Sequence, residues 1–508
     1  MNSRTLHTTG KVIMRGSDPL NLDASGEWAG LWWLPEDPGH QVPGVLRYEP
    51  ERGLILSLIG AFEDRVTTTP APGVLMVHEG RRTWGVIHGA ADQREISLFG
   101  CFPDGGQRTF GARVKTPDKQ TVVATTALIG AHIGGEDEAA FSTTEVSVED
   151  LGHWAASSVL EGFLGAPGGR PDGSGTISVK PVEVQSVEVD GTEFVLAHRH
   201  TLPFFDQRRG GTVGRMSDTA YMQITRREAS SLSDAIGYAR LIQDLIALAT
   251  HRAAGMIWVR LKLAPDDAVS ECGGPRLERN VDVLYSPFVV GKHDAKAAAH
   301  HRVFFTCEAL PFEEIIPRWC DVHERLQSAT NMVLGLRYAP ARYVENNLLT
   351  AVGAAEVLHR GFDIDEPPIP SEDFKPMREA MLAQVPEEHR KRIRGSLCND
   401  PTLRDRLYAL AARPDQEALS TLVPDVDRWA RRTTRARNDL AHEGRTPNHE
   451  LEELIAIVDV TTAVVILNLL NELGLPAGRQ REIVRDHPQL RATARSAWDW
   501  LSTSEADS

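Results

Sequence analysis

The sequence predicts an α+β chain, β-rich through residues 1–305 and all-helical through 306–508. Three observations carry that reading. Short runs of branched and aromatic residues, broken by turn residues, fill the span from about 26 to 200. Strand signals stop near residue 310, and apolar residues at helical spacing then continue to Trp500. The 508 residues exceed what one hydrophobic core usually serves, so two or three domains are expected.

In chain order, Val45–Tyr48 and Leu54–Ile59 flank the turn Glu49–Gly53 and read as a hairpin. Val182, Val184, Val187 and Val189 lead into Asp190-Gly191 and then Phe194–Leu196, a second hairpin through its Asp-Gly turn. Gly165–Gly175 reads as a surface loop rich in Gly and Pro. Gly210–Gly214 lacks the Lys-Ser/Thr of a phosphate loop and reads as a turn. Ile236, Leu241, Leu245 and Leu248 give the apolar stripe of a helix over about 233–252, packed on the β-rich part, and Met256–Leu263 follows as a strand. Trp28, Trp32 and Trp33 read as core and rim, with a stacking platform for a base or ligand as the alternative. No Gly-x-Ser-x-Gly is present to mark a hydrolase serine.

In the second half, Pro340 opens a helix to about Arg360, and further helices cover roughly 372–384, 402–412 and 425–443. The strongest pattern runs from Pro447 to Leu473, with Thr446 as N-cap and Pro447 at the first helical position. Gly444 stands where the preceding helix would be capped. The apolar stretch Thr462–Leu470 contains Asn468 and falls short of the roughly 20 residues that span a bilayer, so no membrane association is expected. Met1–His7 lacks the apolar core of a secretory signal. Cys101, Cys272, Cys307, Cys320 and Cys398 are odd in number and never in Cys-x-x-Cys spacing, which fits a cytoplasmic protein with neither a disulfide framework nor a zinc site. A formal charge of −15 disfavours non-specific coating of nucleic acid and leaves room for a local basic site.

Such a site is present. Arg428, Arg431, Arg432, Arg435 and Arg437 fall within an acid-free run of eleven residues that ends at Asn438, and His442 follows. RNA carries its own nucleophile, the 2′-OH. A protein that cuts it needs a group of near-neutral pKa to move protons and a cation for the charged phosphorane; histidine and arginine are the natural choices, and no metal or other cofactor is required. Asn438 and His442, four apart, share a helix face, whereas Arg437 and His442 are separated by about 140°. One helix cannot aim both at one atom; fraying of the last turn, or the same segment of a second chain, would bring them together. Arg318 and His323 repeat the Arg-to-His spacing without the Asn or the arginine neighbourhood, and read as helix core. The basic run Arg390–Arg394 reads as a solvated helix face or as an extension of an RNA-binding surface.

Arg437, Asn438 and His442 resemble the R-N-x-x-x-H signature of HEPN-domain ribonucleases. Independently, Glu27–Glu36, Val42–Leu46, Gly53–Gly60, Ile87-His88-Gly89 and Leu98–Cys101 are similar to the N-terminal domain of ApeA-type proteins, which join a β-rich front to a C-terminal HEPN domain. The resemblance implies a role in anti-phage defence by abortive infection, RNA cleavage, and homodimerisation around a shared cleft, with a phage-derived trigger sensed by the front domain. It also points to Glu356, on the edge of an apolar stripe, as an acid that orients His442 or holds Arg437, with a plain salt bridge within the bundle as the alternative. Arg431, Arg432, Arg435 and Arg445 are expected to bind the RNA backbone. The expected activity is a metal-independent endoribonuclease leaving a 2′,3′-cyclic phosphate and a 5′-OH, with transfer RNA a substrate by family habit. The alternative is a non-catalytic protein that binds RNA, a nucleotide or a partner.

Overall fold

The computed structural model describes residues 18–502 apart from 63–64, 72–73, 80–82, 108–113, 115, 166–169, 266–278, 363 and 365–366. Met1–His7 and part of the Gly- and Pro-rich loop therefore lie outside the described residues. The chain divides into two compact units: Met1–Ile246 with Ala254–Ala297, and Ala247–Ala253 with Ala298–Ser508.

The first unit is β-rich. Its strands are β1 (Gly26–Leu34), β2 (Asp37–Glu49), β3 (Gly53–Ile59), β4 (Arg65–Ala71), β5 (Val74–Glu79), β6 (Trp84–Ala91), β7 (Arg94–Gln107), β8 (Lys119–Ala124), β9 (Thr126–Ile129) and β10 (Phe141–Val148). After helix α1 (Leu151–Ala155) come β11 (Leu160–Leu164), β12 (Gly175–Val179), β13 (Gln185–Val189), β14 (Thr192–His200), β15 (Phe204–Arg208), β16 (Gly211–Arg215) and β17 (Asp218–Ser230). Helix α2 (Leu232–Thr250), β18 (Met256–Leu263) and β19 (Asn280–Tyr285) complete the series. Thirteen of these strands form one sheet in the order β13-β14-β17-β10-β18-β19-β9-β7-β6-β1-β2-β3-β8. A further pairing of β7 with β8 closes β1, β2, β3, β8, β7 and β6 into a six-stranded barrel, from which the rest of the sheet extends through β9.

Both expected hairpins form. Glu49 pairs with Gly53 at the end of β2–β3, and Val189 pairs with Thr192 across a two-residue turn. Asp190 and Gly191 both take positive φ, 48° and 76°, as the strand twist requires of a type I′ turn. Trp28 and Trp32 are buried and Trp33 is half-buried at the rim, edge-on to His88 and His132. A Cβ at Gly89 would meet the Trp32 ring at 2.3 Å, so the barrel closes on this indole only because that position is glycine.

The second unit is helical: α3 (Phe312–Tyr338), α4 (Val344–Gly361), α5 (Ser371–Ala383), α6 (Glu387–Ser396), α7 (Leu403–Ala412), α8 (Gln416–Leu422), α9 (Val426–Glu443), α10 (Leu451–Glu472), α11 (Ala477–Asp486) and α12 (Pro488–Leu501). Among the described residues α10 alone is long and apolar enough to cross a membrane, and it is mostly buried, packed against α3, α4, α7, α8, α9 and α12. Its start differs from expectation, for the N-cap position falls on Glu450, whose side chain makes no capping bond, rather than on Thr446. Tertiary bonds win over the local signal there: the Asn448 carbonyl accepts from Arg432 at 2.7 Å, the Asn448 side chain donates to Asp439 at 3.1 Å, and His449 contacts the Arg432 carbonyl at 3.2 Å. Those contacts hold residues 446–449 in a turn. Pro340 likewise lies between α3 and α4 rather than opening a helix. The second Arg-to-His spacing is structural, with Trp319 fully buried, Arg318 bonded to Glu314 and to the Leu473 carbonyl, and His323 edge-on to Trp319. Elsewhere in this unit His251, Phe304 and His487 pack ring against ring. Burial pushes the His487 imidazole down to about 4 and holds that of His251 well below its ordinary value.

Candidate active site

Helix α9 forms because the Asp425 side chain caps it, accepting from the Arg428 amide at 2.8 Å, and it ends at Gly444, which takes φ 69°. Its packed face follows helical spacing through Trp429, Thr433 and Ala436, with the Trp429 indole donating to Thr461 on α10 at 3.2 Å. The opposite face is therefore fixed. Arg431, Arg435, Asn438 and His442 fall on it at intervals of four, three and four, and all are exposed. Two of the predicted residues point elsewhere. Arg432 turns toward the start of α10, where Glu453 accepts two guanidinium bonds at 2.5 Å. Arg437 turns toward α4.

Arg437 meets Glu356 there, Nη2 to Oε1 at 3.4 Å, while its Nη1 donates to Asn438 Oδ1 at 3.4 Å. The same carboxylate is approached by Arg406 at 3.9 Å and Arg360 at 4.0 Å. Three guanidiniums against one carboxylate leave a surplus of two positive charges. Glu356, Arg360 and Arg437 line a cleft of about 230 Å³ with Met332, Leu349 and Gly353. A Cβ at Gly353 would come within 2.7 Å of the Met332 methyl, the far end of a flexible side chain on that wall. An electropositive cleft with an apolar wall suits a phosphate and its sugar or base.

The remaining predicted residues are placed as follows. His442 makes no hydrogen bond or ion pair among the described residues and stands exposed one turn beyond Asn438. Arg431 pairs with Asp427 at 2.9 Å, Arg435 with Asp439 at 3.9 Å and Arg445 with Glu443 at 3.7 Å. All three pairs are solvent-exposed on the arginine side, where such contacts are weak and exchange readily for a phosphate. Asp427 is also bonded by Tyr408 and Arg404, which hold its carboxyl below the usual range. Burial, with Arg432 close by, holds the His449 imidazole below its ordinary value. Sequence reasoning missed Arg360 and Arg406. Arg360 was recoverable, since it lies four residues after Glu356 on one helix face; Arg406 comes from α7 and leaves no local signal.

No curated protein and no solved structure matches the chain. A family model of the ApeA N-terminal domain 1 matches residues 27–319, and a model of the Apea-like HEPN domain matches residues 349–479, a span that contains Glu356, Arg437, Asn438 and His442. HEPN domains are generally RNase-like, and commonly dimerise and bind RNA. The first match alone covers 293 of the 508 residues, and the chain belongs to the ApeA family of anti-phage defence, nuclease-like proteins, with an ApeA N-terminal domain 1 followed by an Apea-like HEPN domain.

Proposed function

We propose that the protein is a metal-independent endoribonuclease that acts in abortive infection, with its active site built on α9. The observation that carries this reading is the Arg437–Glu356 pair on an electropositive cleft, one helix face away from the exposed pair Asn438 and His442. Glu356 positions Arg437 rather than His442. Arg437 stabilises the pentacoordinate phosphorane, Asn438 donates to a phosphate oxygen, and His442 moves the protons. The 2′-OH attacks its own phosphorus, the bond to the 5′-oxygen breaks, and the products are a 2′,3′-cyclic phosphate and a 5′-OH. Arg431 and Arg435, on the face of His442, guide the RNA strand; Arg432, tied to Glu453, has a lesser part, and Arg445 contributes beyond the helix end.

Arg437 and His442 do not converge within one chain, because five residues of helix separate them by about 140°. A homodimer that pairs α9 with its copy would place His442 of one protomer near Arg437 of the other. The β-rich unit then serves as the sensor of a phage-derived trigger in the cytoplasm.

The test is cleavage of total RNA in EDTA by the purified protein, with end-group analysis of the products. Cyclic phosphate ends that vanish in His442→Ala support the reading; activity that needs magnesium overturns the metal-free mechanism. One observation favours a non-catalytic RNA-binding protein instead: no partner orients the His442 ring among the described residues. On that reading His442→Ala keeps function, and loss of Arg431 or Arg435 removes it.

A further inference from the structure

The β-rich unit holds a second polar constellation. Ser157 Oγ stands 3.0 Å from His198 Nε2, and His198 Nδ1 stands 3.0 Å from Asp218 Oδ1. The other Asp218 oxygen accepts from the Ser158 hydroxyl at 2.9 Å and from the Val159 amide at 3.0 Å. Burial alone would raise the Asp218 carboxyl, but the hydrogen bonds from His198, Ser158 and Val159 outweigh it and hold the group below the usual range. An ionised Asp218 fixes the imidazole tautomer: Nδ1 carries the proton and donates to the carboxylate, and Nε2 keeps its lone pair toward the Ser157 hydroxyl.

The fold explains the alignment. In the β14–β17 ladder His198 pairs with Ala220 and His200 with Asp218, so His198 and Asp218 are diagonal neighbours on one face. Ala156, just after α1, takes the left-handed conformation at φ 53° and turns the chain so that Ser157 meets the ring. The His198 and Asp218 side chains are only 6% and 10% exposed, whereas Ser157 is half-buried, so the relay opens to solvent at its hydroxyl end. The backbone amides of Ser157 and Ser158 have no acceptor among the described residues, which leaves them as donors for a developing oxyanion.

The segments that carry the relay also contribute to a cleft of about 570 Å³ whose lining includes Leu160, Ile177, Thr201, Phe204, Arg215 and Ser217, and none of the three relay residues. Leu160 is three residues from Ser157, within roughly 10 Å of chain, Thr201 is three from His198, and Ser217 adjoins Asp218. The surrounding hairpins β11–β12 and β15–β16, with the Leu202 connection, leave Phe163, Leu164, Ile177, Leu202, Phe204 and Phe205 each at least 60% exposed, an apolar surface that a soluble chain rarely shows without a use.

We propose that Ser157, His198 and Asp218 form an acyl-transfer site that hydrolyses an ester or thioester with an apolar acyl chain seated in this cleft. Ser157 Oγ bonds to the acyl carbon as its proton passes to His198 Nε2. The tetrahedral adduct collapses, the bond to the alkoxide or thiolate breaks, and the leaving group takes that proton. Water then attacks the acyl-serine, gives a proton to His198, and releases the carboxylic acid as Ser157 regains its hydrogen. The site differs from a Gly-x-Ser-x-Gly elbow, since its serine follows a short helix instead of opening one.

Full-length protein treated with an alkyl fluorophosphonate should carry one adduct, located on Ser157 by mass spectrometry. It should hydrolyse p-nitrophenyl octanoate at least about 10-fold faster than the acetate. Ser157→Ala and His198→Gln should each lower kcat/KM by at least about 10³-fold. Ser157→Ala removes one half-buried hydroxyl and decides the matter even where His198→Gln unfolds the sheet extension that holds β14 and β17. An adduct that is absent, lies elsewhere or survives on heat-unfolded chain overturns the proposal, as does turnover retained by Ser157→Ala. None of these readouts involves RNA cleavage.

Discussion

The α9 cleft and the Ser157–His198–Asp218 relay handle charge in opposite ways. Around Glu356 three arginines face one carboxylate at 3.4–4.0 Å, and the surplus cation is left toward solvent. Around Asp218 each hydrogen bond is 3.0 Å or shorter, the His198 and Asp218 side chains are largely buried, and the carboxylate is matched by donors from a histidine, a serine and a backbone amide. The first arrangement is loose and unsatisfied, suited to taking up a polyanion that completes it. The second is tight and satisfied, suited to holding one tautomer and passing a proton.

The largest effect should come from the exposed histidine. His442→Ala is expected to lower RNA cleavage by about 10³-fold with an unchanged melting curve; full activity in chelator would turn the α9 face into a binding surface only. Next, one chemical change applied to both regions should give unequal costs. Asp218→Asn leaves the His198 and Val159 donors poorly matched and should destabilise its unit by about 1–3 kcal/mol, whereas Glu356→Gln, whose carboxylate meets its arginines only at 3.4–4.0 Å, should cost less, both read by denaturant titration. Equal costs would erase the contrast. Glu356→Gln should also free Arg437 for phosphate, steepening the salt dependence of RNA binding by roughly 0.7 in log–log slope while cleavage falls for want of positioning. The smallest effect concerns acid. His487 and His251 have folded pKa values below the unfolded 6.5, so the folded helical unit binds fewer protons; their stabilisation is full above pH 6.5 and is lost as pH falls below it, down to about 4 for His487. Asp218 is likewise depressed, but from 3.8, so its contribution is lost only below that value. Thermal melts from pH 7 to 3 should show the helical unit weakening first, and His487→Asn should flatten its profile.

How much of this was legible in the sequence follows from where each signal lives. The Asp190-Gly191 turn, the 256–263 strand and the α9 span are written locally, in turn residues and apolar spacing, and they formed as read. The separation of Arg437 from His442 was likewise a matter of helix geometry alone. Thr446 and Pro447 made a sound local start for α10, yet Arg432 and Asp439, brought close by packing, took residues 446–449 into a turn. Barrel closure was illegible because β7 and β8 pair through register, not composition. The relay was illegible too: 41 residues separate Ser157 from His198 and 20 separate His198 from Asp218, with no motif binding them.

Strand β7 bears a consequence of its own. Residues 96–99 pair with β6 and β9, and residues 102–107, past a register shift near Pro103, pair with β8. One strand thus belongs both to the closed barrel and to the open extension that carries the relay. Opening either must disturb hydrogen bonds of the other, so amides of β6, β8 and β9 should exchange with deuterium as one cooperative block, while the separate β15–β16 ribbon exchanges early and alone.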